Sequence, residues 1–294
     1  RMREALARHR QWAERKQTIL RSIESQHKLT DSLREQIERA DSIKRLEDLY
    51  LPYRPKKESL ASKARDSGLG PLAEEILEQA PACVDLDARA AEFVNPDKGI
   101  TDVASALLGA GHILAEQFNE RADLRQKIRK LYRNTGKLVS KKVEDNEKKN
   151  KQYRDFLDYA EKLGRVPPHR VLAINRGEKA KVLRIKIEAD VDAMTQLATE
   201  LLVEADHVHA DFLAGCVRDA LERLLLPSLE REARRELSER AESHAVKVLA
   251  KNLRNLLLQR PLPGRRVLAI DPGFKAGCKL AAIDETGQLL GCAV

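Results

Sequence analysis

Apolar residues recur along most of this chain at intervals of three and four, the spacing that gathers them on one face of an α-helix. Ala5, Leu6, Trp12, Ile19, Leu20 and Ile23 predict a first helix over 3–24. Leu33, Ile37 and Ala40 predict a second, capped by Thr30 or Asp31, and a third starts at Asp41 or Ser42. Residues 49–57 (LYLPYRPKK) interrupt the pattern, because two prolines three apart remove backbone donors and push the residues before them to extended geometry. An aromatic and basic loop is expected there. Short helices over 59–66 and 71–79 flank Gly68-Leu69-Gly70, where glycine serves as a helix stop. Val103, Ala106, Leu107, Ala110, Ile113, Leu114 and Phe118 mark a longer helix that Thr101 can cap. Gly109 and Gly111 fall inside it at about 1 kcal/mol each relative to alanine, so a close helix–helix approach is the expected reason for them.

Further on the period changes. Leu124, Ile128 and Leu131 give one helical face, broken at Thr135-Gly136; residues 137–143 read as extended or irregular, and 144–150 are polar enough for a mobile loop. Another amphipathic segment starts at 153–159 and ends at Pro167-Pro168. The short runs 171–174 and 182–187 are of β type, joined through Asn175-Arg176-Gly177-Glu178 as a hairpin that must pack on a helix or pair elsewhere to be stable. Residues 188–259 are nearly continuous helix-forming sequence, with a break expected near His207 and a kink or fresh start at Pro227. Glu232 and Glu236, opposed by Arg231, Arg234 and Arg235, read there as part of a solvent-exposed side. Pro261, Pro263 and Gly264 make 259–265 a linker. It leads into a β-meander: an apolar run over 267–270, a second over 278–283, the turn Asp284-Glu285-Thr286-Gly287, and a third run from Leu289.

Composition agrees with a mainly α chain: 34% charged residues and only 4% aromatics describe long solvated helices rather than a β-sandwich. A formal net charge of +8 favours an anionic partner, most simply nucleic acid. No apolar run approaches the ~20 residues needed to cross a bilayer. Cys83, Cys216, Cys278 and Cys292 lack CxxC spacing, which argues against a structural zinc site or a disulfide framework and for free thiols in a reducing, cytoplasmic setting. The chain opens at Arg1-Met2 already inside helical sequence and stops at Val294 before a fourth strand, so further residues are expected on both sides.

The charge is concentrated. Residues 121–154 hold thirteen Lys or Arg against four acids, a net +9 that exceeds the net charge of the whole chain. Arg125, Lys127, Arg129, Lys130, Arg133, Lys137, Lys141, Lys142 and Arg154 are therefore candidate phosphate contacts, with Tyr132 and Tyr153 available to stack on bases. Arg184 and Lys186 share a face of their strand because alternate residues do, and with Arg176 and Lys179 they extend the basic surface. A solvated helix face is the competing reading of the same charges. Asp271, at the end of the first meander strand, is the one weak catalytic candidate. An acid there begins the RNase H-like fold, in which it holds a divalent metal, but that chemistry needs two or three such ligands, and a turn residue before Pro272-Gly273 is the simpler explanation. His207-Val208-His209 has a metal-compatible spacing without the strand and further ligands a site would need. Gly273-Phe274-Lys275-Ala276-Gly277 lacks the spacing of a phosphate loop. No metal or other cofactor is expected.

Several ordered segments resemble a known family: 45–56 (RLEDLYLPYRPK), running on to Ala64, Ala73 and Leu77, then 93–99 (FVNPDKG), 153–156 (YRDF), 166–170 (VPPHR), 175–178 (NRGE), 226–232 (LPSLERE) and 270–273 (IDPG). Together they resemble the Tex family of bacterial transcription accessory proteins. The resemblance implies a helical N-terminal region, a central helical region, a YqgF-type RNase H-like domain, helix-hairpin-helix motifs and a C-terminal S1 RNA-binding domain, of which this chain would carry the first two and the start of the third. The expected fold is mainly α: a multi-helix scaffold over 1–122 and 123–262 with a small β-hairpin, then a truncated α/β RNase H-like start over 263–294. The expected function is non-catalytic nucleic-acid binding, with single-stranded RNA favoured and DNA open. The alternatives are a metal-dependent nuclease or resolvase using Asp271, and a scaffold for RNA polymerase or ribosome-associated proteins.

Overall fold

The structure, a computed structural model, describes residues 2–55, 58–143, 151–260, 262–273 and 277–294. It is mainly helical and divides into two compact units, 1–241 and 242–294.

In the first unit, α1 (Met2–Glu24), α2 (Asp31–Arg39) and α3 (Ile43–Tyr50) close a small core of Ile19, Ile23, Ile37, Ala40, Leu46 and Leu49. Thr30 caps α2 by accepting from the Leu33 N–H at 3.2 Å, and Ser42 caps α3 by accepting from Arg45 N–H at 3.3 Å. The Leu-Pro-Tyr that follows forms one 3₁₀ turn, Leu51–Tyr53. It is held by Gln26, whose Nε2 donates to the Tyr53 carbonyl at 2.8 Å.

A larger core gathers α4 (Leu60–Asp66), α5 (Gly70–Leu77), α6 (Leu86–Ala91), α7 (Val103–Glu120) and α8 (Ala122–Thr135) with the elements after them. The cap of α7 is Asp102 and not Thr101: its carboxylate accepts from Ser105 N–H at 2.7 Å, and Ser105 Oγ accepts from Asp102 N–H at 3.1 Å. A carboxylate outcompetes a hydroxyl one residue earlier because it also faces the positive end of the helix. Gly109 is the expected close approach, since a Cβ there would lie 2.3 Å from Leu69 Cδ1.

The predicted hairpin is replaced by a three-stranded antiparallel sheet. Residues 171–174 are helical, inside α9 (Pro168–Lys179), which Pro167 and Pro168 open rather than merely precede. Val171 and Ile174 are buried one helical turn apart. Strand β3 (Leu183–Glu188) pairs instead with β1 (Lys137–Lys142), which pairs on its other edge with β2 (Asp158–Lys162), giving the order β2-β1-β3. The amphipathic segment that starts at 153–159 therefore contains a strand. Residues 144–150, expected as a loop, lie outside the described residues.

Helices α10 (Val191–Leu202) and α11 (Ala210–Asp219) straddle the break expected at His207. Helical structure then continues without interruption through α12 (Leu226–Leu257). A π-helical stretch, Ala220–Leu225, precedes Pro227; widening the turn is how a helix accommodates a proline that cannot donate. The chain thus neither stops nor restarts there.

The second unit contains the end of α12 and a separate antiparallel sheet, β4 (Val267–Gly273), β5 (Gly277–Ile283) and β6 (Leu289–Ala293), in the order β4-β5-β6. This is the predicted meander. Asp284 Oδ1 accepts from the N–H groups of Thr286 and Gln288 at 2.8 and 2.9 Å, and Gly287 takes φ +87°, which fixes the turn. No helix among the described residues is long and apolar enough to cross a membrane.

Candidate nucleic-acid interface

The sheet β2-β1-β3 sorts its residues by parity. Leu138 and Ser140 of β1 and Leu183, Ile185 and Ile187 of β3 turn to the protein side and are buried. The opposite parity makes the outer face, where the charged residues are exposed and Val139 at its centre is buried. Register pairs Lys141 with Arg184 and Asp158, Val139 with Lys186 and Ala160, and Lys137 with Glu188 and Lys162. The outer face therefore brings together Lys137, Lys141, Lys162, Arg184 and Lys186, all exposed, against the acids Asp158 and Glu188. Directly opposed residues stand about 5 Å apart across a sheet, so Lys141 and Arg184 form one doubly charged spot. Four of the sequence-predicted contacts meet here, although the sequence alone leaves 137–143 unpaired and joins 182–187 to 171–174. Lys162 joins them unforeseen, because the sequence marks its segment only as amphipathic and shows no strand there. Lys142 has the other parity, and Arg154 is exposed in the 3₁₀ turn Arg154–Phe156.

Helix α8 divides its cations. Lys127, Lys130 and Arg133 are exposed, and Arg133 reaches Glu236 Oε1 at 2.7 Å. Arg125 and Arg129 are mostly withdrawn from the surface, being 6% and 8% exposed. They converge on Asp48 of α3, itself 3% exposed: Arg125 Nε donates to Oδ1 at 2.8 Å, and Arg129 Nη1 and Nη2 donate to the two oxygens at 2.7 and 2.9 Å. Arg125 is completed by Asn119 Oδ1 at 3.0 Å and Ser228 Oγ at 3.3 Å, and Arg129 Nε donates to Glu232 at 2.9 Å. Burial alone would lower the pKa of Arg129, but its bonds to Asp48 and the charge of Glu232 more than offset this and raise it. These two arginines thus join α3, α8 and α12 and are withdrawn from the open cationic surface of α8. Glu232 and Glu236 are likewise engaged: Lys44 pairs with both, at 3.1 Å to Glu232. The exposed acidic side expected of α12 is in that stretch an internal contact.

Neither tyrosine is free to stack on a base. Tyr132 is 3% exposed, and burial raises the pKa of its hydroxyl; Tyr153 is 9% exposed and packs with Val182 and Leu183. His207 and His209 are held by backbone carbonyls, with His209 Nε2 2.6 Å from the Cys83 oxygen and His207 Nε2 3.4 Å from that of Leu77. Asp271 lies within β4, exposed, with Lys279 opposite it in register. Among the described residues no three His, Cys, Asp or Glu side chains gather as metal ligands. Residues 274–276 lie outside the description.

Fold and surface together define a class: a mainly helical scaffold that carries a small sheet with a cationic outer face. Residues 83–249 match the Tex central region-like family, and residues 265–294 match the Tex protein YqgF-like domain. The chain belongs to the Tex family. It is 42% identical over 289 residues to "Protein tex" of Bordetella pertussis, covering 94% of this chain and 36% of that protein. It is 39% identical over 290 residues to "Transcriptional accessory protein Tex" of Neisseria gonorrhoeae, covering 96% and 37%. "S1 RNA-binding domain-containing protein 1" of Homo sapiens is 30% identical over 295 residues, covering 95% of this chain and 29% of that protein. The chain thus spans less than two fifths of the length of these relatives.

Proposed function

We propose that this chain is a nucleic-acid-binding part of a transcription accessory protein and that it holds its ligand, with single-stranded RNA favoured, on the outer face of the sheet β2-β1-β3. The carrying observation is the register that sets Lys141 against Arg184, with Lys137, Lys162 and Lys186 on the same side. Lysine and arginine on a sheet face contact phosphate oxygens and carry little base information, so sequence preference is weak. The names of two relatives, one a transcriptional accessory protein and one an S1 RNA-binding domain-containing protein, support the same reading. Binding proceeds without bond cleavage.

The test is fluorescence anisotropy of labelled single-stranded RNA and of duplex DNA across a salt series. Changing Lys137, Lys141, Arg184 and Lys186 together to Ala lowers the log–log salt slope for single strands by about 3, from roughly 0.7 per neutralised phosphate. A slope unchanged in that variant removes the sheet from the interface. Asp271→Asn leaves binding intact; Mg²⁺-dependent cleavage that this variant abolishes would make the protein a nuclease instead.

A further inference from the structure

A hollow of about 610 Å³ opens between the start of α3 and the outer surface of α8. Its charged lining is entirely cationic: Lys44, Arg45, Arg129, Lys130 and Arg133. The remaining lining residues, among them Ser42 and Gln126, bring hydroxyl and amide groups and no carboxylate. Behind the wall, Asp48, Glu232 and Glu236 pair with Arg129, Lys44 and Arg133. Arg45 and Lys130 have no ion-pair partner among the described residues. On its other side Arg45 borders a second hollow that contains Glu35 and Asp41, and neither forms an ion pair with it.

Two further observations favour an anion in this hollow. Arg45 Nη1 is buried and has no hydrogen-bond partner among the described residues. A buried guanidinium N–H left unpaired is costly, and an anion beside the guanidinium lowers that cost. Lys44 has its pKa lowered, chiefly by burial and in part by repulsion from Arg133 and Arg129, against the opposing pull of Glu232. The three acids behind the wall therefore leave an excess of positive charge that an anion in the hollow would relieve.

We propose that this hollow is a phosphate-binding site, in which Arg45 and Lys130 hold one phosphate group between α3 and α8. Arginine presents a planar fork of donors that matches phosphate oxygens, and lysine adds a point charge. The group can come from a nucleic acid or from free phosphate. Because Arg45 belongs to the N-terminal helices and Lys130 to α8, an occupied site ties one to the other. The site stands apart from the sheet face and does not depend on it.

The experiment titrates inorganic phosphate into the whole chain at constant ionic strength, reading affinity by calorimetry and the unfolding midpoint by circular dichroism. The unmodified chain gains midpoint with phosphate, as any ligand that binds only the folded state requires. Lys130→Gln, which alters an exposed side chain, and Arg45→Gln each weaken phosphate about tenfold, the effect of one lost charge-assisted hydrogen bond. The Lys141→Ala/Arg184→Ala variant of the sheet binds phosphate normally, so this site and the sheet interface fail separately. Equal phosphate affinity in all three variants and the parent, or no heat and no midpoint shift in the parent, overturns the proposal. Competition with a 5′-phosphorylated and a 5′-hydroxyl RNA then identifies the source. Displacement by the first alone means a terminal phosphate, by both a backbone phosphate, and by neither free phosphate.

Discussion

At the scale of single residues, the decisive feature is the carboxylate of Asp48 between two buried guanidinium groups. A buried ion pair contributes little net stability compared with an apolar substitute, yet removing one member strands the others without compensation. Asp48→Ala therefore lowers the unfolding free energy by about 3–5 kcal/mol, measured by urea denaturation. Arg129→Ala is for the same reason a poor probe of ligand binding, because lost affinity and lost fold would coincide. Its place in the sequence was legible after the fact: positions 124, 125, 128, 129 and 132 form one buried stripe of α8, and two of the five are arginines. Arginine inside an apolar stripe signals a partner acid, but only the fold supplies Asp48, 77 and 81 positions away.

The thiols make a second prediction at this scale. Burial and the nearby charge of Asp219 push Cys216 up to about 12, and burial raises Cys83 as well, so at pH 8 both are almost wholly protonated. Cys278 and Cys292 are exposed. Maleimide or iodoacetamide with mass-spectrometric mapping labels Cys278 and Cys292 first. Cys216 reacting as fast as these two in the native protein would contradict its burial.

At the scale of elements, the joints between helices and strands depend on small residues and caps. Gly136 ends α8 and starts β1, and a Cβ there would lie 2.5 Å from the Tyr132 carbonyl oxygen and 2.9 Å from Leu163 Cδ1. The backbone oxygen cannot step aside as a side chain can. Gly136→Ala is expected to cost about 1–3 kcal/mol and to show as a lowered thermal midpoint. Asp102→Ala is expected to cost ~1 kcal/mol, the usual loss for an N-cap, whereas Thr101→Ala leaves stability unchanged; equal effects at the two positions would move the cap back to Thr101. The break at Thr135-Gly136 and the extended run after it were legible from local composition. The pairing of that run was not, because a strand's partner is set by what buries its apolar parity, here β2 and β3 together.

At the scale of the whole molecule, the charge of the chain is less diffuse than its sequence implies. The described part of the basic segment 121–154 resolves into a buried network, a helix surface and the central strand of a cationic sheet face. Every buried side chain among the described residues lies at or before Ala241, and Leu268, Ile270, Leu289 and Leu290 of the second unit are all more than half exposed. A three-stranded meander without a covered face adds little to cooperative stability. The chain shortened to 1–241 is thus expected to keep the same main unfolding transition by circular dichroism and the same RNA affinity. A large fall in either would place essential contacts beyond Ala241.

The sequence by itself determined the mainly helical class, most helix boundaries, the three strands of the meander and the family, because periodicity, caps, breakers and ordered motifs are local properties of a chain. Only the tertiary structure decided which cations are available. Whether a lysine or arginine faces water depends on acids and apolar surfaces that arrive from distant segments. Asp48 and Glu232 drew Arg125 and Arg129 inward, while pairing among β1, β2 and β3 turned Lys137, Lys141, Lys162, Arg184 and Lys186 outward on one face.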